Sequence, residues 1–408
     1  MTNSRPPAIS AWRFVITFGT VSLLADFVYE GARSVTGPLL ATLGATGLLV
    51  GVVTGIGEAA ALLLRLVSGP LADRTRRFWA WTIAGYALTV ISVPTLGYAG
   101  ALWVACTLVI LERVGKAIRA PAKDALLSYA TAATGRGRGF AVHEAIDQFG
   151  AVIGPLVVAG MLALTGTQYG PTLAILALPG VLALALLVWL RWKAPHPMDY
   201  EIQRRENEPP APRGRLRLSR AFWMYSAFTA TTMLGFATFG VISFHIVEAN
   251  LLPPVLVPVL YAGVMVVDAL AALATGWAYD RFGPRVLLAL PIVAATVPAL
   301  AFADTVAAVI AGSLLWGMAL GIQESTLRAT VADLVDANRR STAYGIFAAV
   351  VGVATAAGGA AAGALYDVSV PLLVAVTIAV QVSAALLLLV FTFHAPILAR
   401  FRAPSARR

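Results

Sequence analysis

Asp26, Glu30 and Arg33 stand four and three positions apart within one apolar run, so they share a helix face. Two acids and a guanidinium can form an ion-pair ladder that holds one end of a helix. Alternatively the deepest of them, Asp26, faces a cavity and takes a proton or a charged solute. A denser cluster follows in a later run: Glu112, Arg113, Lys116, Arg119, Lys123 and Asp124, with Glu112 and Lys116 spaced to pair. His143 and Asp147 are four apart, as are Glu144 and Gln148. A histidine and a carboxylate at that spacing can shuttle protons or ligate a metal. They can equally form a hydrogen-bonded pair that closes a gate, and no resident metal or cofactor is expected. Gln323, Glu324 and Arg328 make a fourth group, with Glu324 and Arg328 spaced to pair. Glu58 and Asp268 are single acids in apolar runs, and Asp268 needs a partner from another helix.

The elements that must hold these groups are membrane helices. The 408 residues are 59% hydrophobic and 12% charged, with mean hydropathy +0.80. A soluble domain is about a quarter charged. Twelve helices of roughly 20 residues fit the chain and leave short loops. The formal charge of +10 does not indicate nucleic acid, because basic residues in a polytopic protein report topology. Cys106 is the only cysteine, which excludes an internal disulfide and a cysteine-based metal site. The first apolar run carries Asp26 and is expected to remain as a helix and not to be removed as a signal.

Spans are expected over about 12–35, 46–68 and 78–98, then from 101, with a basic turn at 135–139 leading into the fifth. Further spans are expected over 172–190, 221–248, 255–277 and 286–303. The tenth carries Gln323, and the last two cover 341–365 and 370–394. The third, sixth, ninth and twelfth carry no interior charge; the first, fourth, seventh and tenth are read as carrying the most. Residues 191–220 turn abruptly to proline, acid and arginine, a linker between an N-terminal half (1–190) and a C-terminal half (221–408 with its basic tail). Turns at Arg74–Arg77, Arg136–Arg138, Arg281–Arg285 and Arg339–Arg340 are basic, whereas those near Gly100, Gly166, Asn250, Asp304 and Ser369 lack Lys and Arg. The positive-inside rule then puts both termini and the linker in the cytoplasm, with the chain multi-pass in the inner (plasma) membrane.

One stretch ties the halves together. Gly69-Pro70-Leu71-Ala72-Asp73-Arg74-Thr75-Arg76-Arg77 returns 207 positions later as Gly276-Trp277-Ala278-Tyr279-Asp280-Arg281-Phe282-Gly283-Pro284-Arg285. Small residues at Gly69 and Gly276 are expected to let helix ends approach closely. Asp73 and Asp280 can pair with the arginines that follow, or face the positive N-terminus of a neighbouring helix. Gly115 and Gly321, 206 apart, echo the same duplication. The repeat resembles the short cytoplasmic loop between helices 2 and 3 of the major facilitator superfamily, with its degenerate copy between helices 8 and 9. The resemblance implies an all-α integral membrane fold of twelve helices in two pseudo-symmetric six-helix halves. It also implies a central cavity lined by helices 1, 4, 7 and 10. The repeated stretch becomes a cytoplasmic gate (Gly69, Asp73, Arg74, Arg77, Gly276, Asp280, Arg281), to which His143 and Glu144 add. Arg113 resembles the intramembrane arginine on helix 4 of proton-coupled members, although Lys116-Ala117 stands where the family has glutamine and glycine. Gly150-Ala151-Val152-Ile153-Gly154-Pro155 resembles the core of the antiporter motif on helix 5, with Val157-Val158 in place of its closing glycines.

The resemblance implies a secondary active transporter and not an enzyme: a monomer in the bilayer exporting a small polar or charged organic solute against protons. The expected solute and proton pathway comprises Asp26, Glu30, Glu58, Glu112, Arg113, Lys116, Asp147, Gln323, Glu324 and Arg328, with Arg113 opposite Asp26. Three alternatives remain: a proton-coupled importer of an organic anion clamped by Arg113, Lys116 and Arg328; a metal-ion transporter using acids with His143 and His245; and a scaffold or sensor on the same fold. No Walker lysine loop is present, which argues against ATP-driven pumping.

Overall fold

The computed structural model describes residues 9–134, 136–196, 200, 218–335 and 340–394, without the side chains of 132, 136, 137, 141, 328, 329, 332, 333, 340–342 and 391–394. Among these residues the regular structure is helical, with no strand. Hydrocarbon offers the backbone no water to bond, so long apolar runs satisfy their own amides as helices. In order they are α1 (Ala11–Arg33), α2 (Thr36–Thr42), α3 (Gly47–Leu63), α4 (Arg65–Thr75), α5 (Phe78–Leu96), α6 (Leu102–Thr134), α7 (Arg136–Leu164), α8 (Tyr169–Ala174) and α9 (Ala177–Lys193). There follow α10 (Arg220–Leu234), α11 (Phe239–Glu248), α12 (Leu256–Phe282), a 3-10 turn (Gly283–Leu288), α13 (Ala289–Ala301), α14 (Val306–Leu334), α15 (Arg340–Val368) and α16 (Val370–His394). Among the described residues ten helical stretches are long and apolar enough to cross a membrane. One of them, Leu256–Ala301, runs 46 residues and contains both α12 and α13, while the charged α6, 33 residues long, is not among the ten.

The chain forms two compact units. One holds Met1–Leu43, Ala60–Pro210 and Pro254–Ala262; the other holds Gly44–Ala59, Ala211–Pro253 and Gly263–Arg408. In the first unit α1 lies at the centre. Phe14, Val15, Phe18, Val21 and Ala25 pack with Trp79 and Tyr86 of α5, Leu126, Leu127 and Ala130 of α6, and Ala183, Leu187 and Leu190 of α9. Its other side meets α7 so closely that a Cβ on Gly150 would strike the carbonyl oxygen of Leu23, and one on Gly154 that of Phe27. The α5–α6 contact is of the same kind, with Gly85 against Gly115.

In the second unit the N-terminal half of α3 lies on α15, with Gly51 against Gly359 and Gly47 against Gly363. The Asp367 carboxylate accepts the Gly47 and Leu48 amides at 2.9 and 2.8 Å, satisfying the start of α3. The apolar run after α10 is broken at 235–238, and Gln381 of α16 repairs the break. Its Nε2 donates to the carbonyls of Thr232 and Gly235 at 3.0 and 3.1 Å, groups that the interrupted helix leaves open.

Three expectations change. The repeated stretch is not a loop: Gly69 to Thr75 continues α4, and Gly276 to Phe282 continues α12. Only the residues after them turn, through left-handed Arg76 (φ 51°) and Gly283 (φ 67°), so the 207-residue interval extends to the backbone reversal itself. Nor are Gly69 and Gly276 points of closest approach. A Cβ there would stand 3.7 Å from Pro121 and 3.9 Å from Ser325, ordinary contact distances that admit alanine. The tight glycines lie deeper, where whole helices cross. Finally, the basic turn at 135–139 is helical from Arg136 onward, because α7 begins there.

Candidate functional site

Within the first unit the charged residues of α1, α6 and α7 form a connected polar column. A charge in such surroundings costs roughly 2.5–3.5 kcal/mol on insertion scales, so each should have partners, and most do. Glu30 is buried and held twice: Arg33 lies 3.4 Å away, and the buried Tyr261 hydroxyl of α12 donates to Oε2. One turn earlier, Asp26 is half-buried and accepts from the Tyr29 hydroxyl at 2.8 Å. Lys116 Nζ reaches that hydroxyl at 3.4 Å and stands 4.4 Å from the Tyr29 ring centroid. The Arg119 guanidinium lies 5.5 Å from the Tyr29 ring and 4.7 Å from that of Tyr86, and donates to Thr89 Oγ1 at 2.9 Å. A ring face attracts a cation electrostatically, so the two tyrosines stabilise cations that hydrocarbon would not.

Below Asp26 the column continues onto α7. Lys123 Nζ lies 3.9 Å from Asp147 Oδ2, and the α1–α7 register sets Asp147, one turn beyond His143, beside Asp26, one turn beyond Ser22. Lys123 also donates to Ser22 Oγ at 3.3 Å, and Ser22 in turn meets His143 Nε2 at 3.0 Å and the Tyr86 hydroxyl at 3.4 Å. His143 is therefore a buried member of the same network as Asp26. The ligand atoms of His143, Glu144 and Asp147 lie within 4.8 Å of one another. A metal ion would have to compete with the Lys123 ammonium beside Asp147 and with the Ser22 bond to His143, so the donor set is a poor one for a cation of higher charge.

Other expected residues are placed as follows. Arg113 is buried and pairs with its neighbour Glu112 at 3.1 Å, whose second oxygen, Oε1, has no hydrogen-bond donor. Lys116 and Lys123 approach Asp26 through Tyr29 and Asp147, and the Arg113 guanidinium lies 6.0 Å from the centroid of the Tyr29 ring. Glu58 is half-buried on α3. In the second unit Gln323 is buried, with Nε2 lacking an acceptor, and Glu324 is exposed. The Arg328 side chain lies outside the described residues, and so does its expected pairing with Glu324. His245 is a packing residue. Its ring sits against Phe302 and Tyr366, and its nitrogens are used by the Tyr366 hydroxyl at 3.1 Å and the Ala303 carbonyl at 3.3 Å. Asp73, Arg74, Arg77, Glu144, Asp280 and Arg281 are exposed. Among the described residues no ion pair joins Asp73 to Arg74 or Arg77.

The residues missed by a reading of charges alone are Tyr29, Tyr86, Tyr261 and Ser22. A tyrosine deep in an apolar span is the signal that could have found three of them, since a buried phenol needs a partner.

The family model of the Major Facilitator Superfamily matches residues 20–262 and 251–407, and the chain belongs to that superfamily. It is 63% identical over 391 residues to an uncharacterized protein of Mycobacterium tuberculosis (strain ATCC 25618 / H37Rv), covering 96% of this chain and 95% of the relative. It is 25% identical over 368 residues to an uncharacterized MFS-type transporter of Methanocaldococcus jannaschii, covering 87% and 89%. Among solved structures, a mutant of the nucleoside transporter NupG superposes with a TM-score of 0.72 at 11% identity, over 93% of this chain and 99% of that one. That likeness is one of fold. The protein is a multi-pass membrane transporter, and not an enzyme, with the all-helical fold of its superfamily.

Proposed function

We propose that the protein is a proton-coupled secondary transporter that exports a small polar or charged organic solute. In this reading twelve spans form two halves, 1–190 and 221–408, joined by a cytoplasmic linker at 191–220. The halves rock to open the polar column to each side of the plasma membrane in turn, with both termini in the cytoplasm. The chain works as a monomer. Twelve spans follow if α12 and α13 each cross and α6 is counted despite its charge. Asp26 is the coupling acid, and the repeated ends of α4 and α12 act as cytoplasmic gate elements.

The observation that carries the reading is the position of Asp26. It is half-buried in the C-terminal half of α1, bonded to Tyr29 and set by the α1–α7 register beside the Asp147–Lys123 pair. Glu30, by contrast, is buried and already held by Arg33 and Tyr261. A half-buried carboxyl with a single donor can exchange a proton for a solute more readily than a buried one held by two. The contact of Gly150 and Gly154 with α1 supports a role for the antiporter-like motif in setting Asp26 against α7.

A second reading, import of an organic anion with protons, is favoured by the stripe of Lys116, Arg119 and Lys123 along α6. Metal-ion transport has less support, because His245 is occupied in packing and Lys123 faces Asp147. A ligand-stabilisation screen of the purified protein identifies the solute. Flux into proteoliposomes under opposite pH gradients then separates export from import, and proton coupling from facilitated diffusion.

A further inference from the structure

We propose that Asp26 and Asp147 together hold one proton, shared between the two carboxyls, so that the proton site spans α1 and α7. The inference deepens the proton-coupled reading in its use of that proton, though the existence of the shared proton can be tested without it.

The geometry begins with helix packing. Gly150 and Gly154 bring α7 onto the backbone of α1 at Leu23 and Phe27, and a Cβ added at Gly19 would stand 3.0 Å from Ile146 Cδ1. The two helices advance in step, Leu23 against Gly150 and Phe27 against Gly154, and Ser22 meets His143 at 3.0 Å; one turn further on, the same register sets Asp26 beside Asp147. Two ionised carboxylates side by side repel, and sharing a single proton is the standard resolution for like acids in one site. The oxygens call for that proton. Asp147 is 9% exposed, and its Oδ1 is buried with no hydrogen-bond donor among the described residues. Lys123 faces the other oxygen, Oδ2, at 3.9 Å, which is an ion-pair distance too long for a hydrogen bond. A proton on Asp26 is the donor that the Asp147 carboxyl lacks. Tyr29 meanwhile donates to Asp26 Oδ2, orienting that carboxyl.

The groups facing the pair come from every helix packed on α1. From α1 itself these are Tyr29 and Glu30; from α6, Arg113, Lys116, Arg119 and Lys123; from α7, His143; and from α5, Tyr86 across Ser22. No ionisable residue of α9 precedes Arg191. With the proton in place the pair carries one negative charge, which the Lys123 ammonium balances. Without it the pair carries two. Any motion that parts α1 from α7 divides the pair, and the proton must leave or settle on one carboxyl.

Infrared difference spectroscopy of the full chain in liposomes, recorded after pH jumps in H2O and D2O, reads protonated carboxyls directly. The wild type is expected to show one protonated-carboxyl band, shifted in D2O. That band should vanish in both Asp26→Asn and Asp147→Asn, and persist in Glu30→Gln. Asp147→Glu, which keeps a carboxyl at that position, should restore it at a changed frequency and guards against a folding defect in the asparagine variant. Absence of the band from the wild type, or its survival in either asparagine variant, overturns the shared proton. Flux that ignores the pH gradient would instead remove the coupled-transport reading and leave this result standing.

Discussion

Gly150→Ala tests whether the α1–α7 contact is what assembles the polar column. A Cβ at this position would strike the Leu23 carbonyl oxygen and stand 2.9 and 3.1 Å from the Leu23 carbonyl carbon and Cα. These are backbone atoms, so no rotamer change relieves the clash. Non-bonded carbons rest at about 3.5–4.0 Å, which means the helices must part by about 0.5–1 Å. Lining contacts opened by that much lose roughly a quarter to a half of their attraction, and overpacking of this kind costs about 1–3 kcal/mol. Alanine also gains about 1 kcal/mol in helix propensity over glycine. Gly160→Ala, in the same helix, gains the same and meets nothing within 4 Å. The difference between the two variants therefore cancels propensity and isolates the clash. For a unit of 150–250 residues, 1 kcal/mol corresponds to about 2–4 °C, so Gly150→Ala should melt roughly 2–12 °C below Gly160→Ala. Adding Gly154→Ala to Gly150→Ala should cost less than the sum of the single changes, since the first already parts the helices. Thermal unfolding in detergent, followed by size-exclusion of the surviving species, gives the comparison. If Gly160→Ala melts with Gly150→Ala, or below it, the packing logic is wrong.

Tyr261→Phe deletes the donor to Glu30 Oε2 and should destabilise by about 1.5–3 kcal/mol, the range for a hydrogen bond to a charged group; Tyr98→Phe, at an exposed position, should not change the melting temperature. Asp73→Asn, at the exposed end of α4, should slow transport while leaving equilibrium binding of the identified solute within a few-fold. Collapse of binding together with transport would remove Asp73 from the gate.

The spacing of Asp26, Glu30 and Arg33 was legible because one helix sets it, and the Glu30–Arg33 contact follows from that spacing. The duplication was legible too, since identical residues recur at a fixed interval, and the left-handed Arg76 and Gly283 extend it. What the sequence could not supply is register between helices. On α6 the four-residue rule favoured Glu112 with Lys116, yet Glu112 meets Arg113, its immediate neighbour, while Lys116 turns to Tyr29 on α1. His143 and Asp147 were separated from Asp26 by over a hundred residues, and nothing in their spacing says which face of α1 they meet. That is decided by Gly150 and Gly154, whose small size was visible and whose partners, Leu23 and Phe27, were not. Gly69 and Gly276 misled for the same reason: a glycine near a helix end can mark a close approach or simply leave room.

The most direct test of proton-coupled transport through Asp26 is solute flux in proteoliposomes as a function of an imposed pH gradient, for the wild type and for Asp26→Asn. The wild type should accumulate the solute identified by the stabilisation screen only when the gradient has the sign that drives exchange. Asp26→Asn should still equilibrate solute but ignore the gradient, while Glu30→Gln should retain most of the dependence. Flux through Asp26→Asn with the wild-type dependence on the gradient would contradict the assignment and move the coupling acid elsewhere, to Asp147 or Glu324.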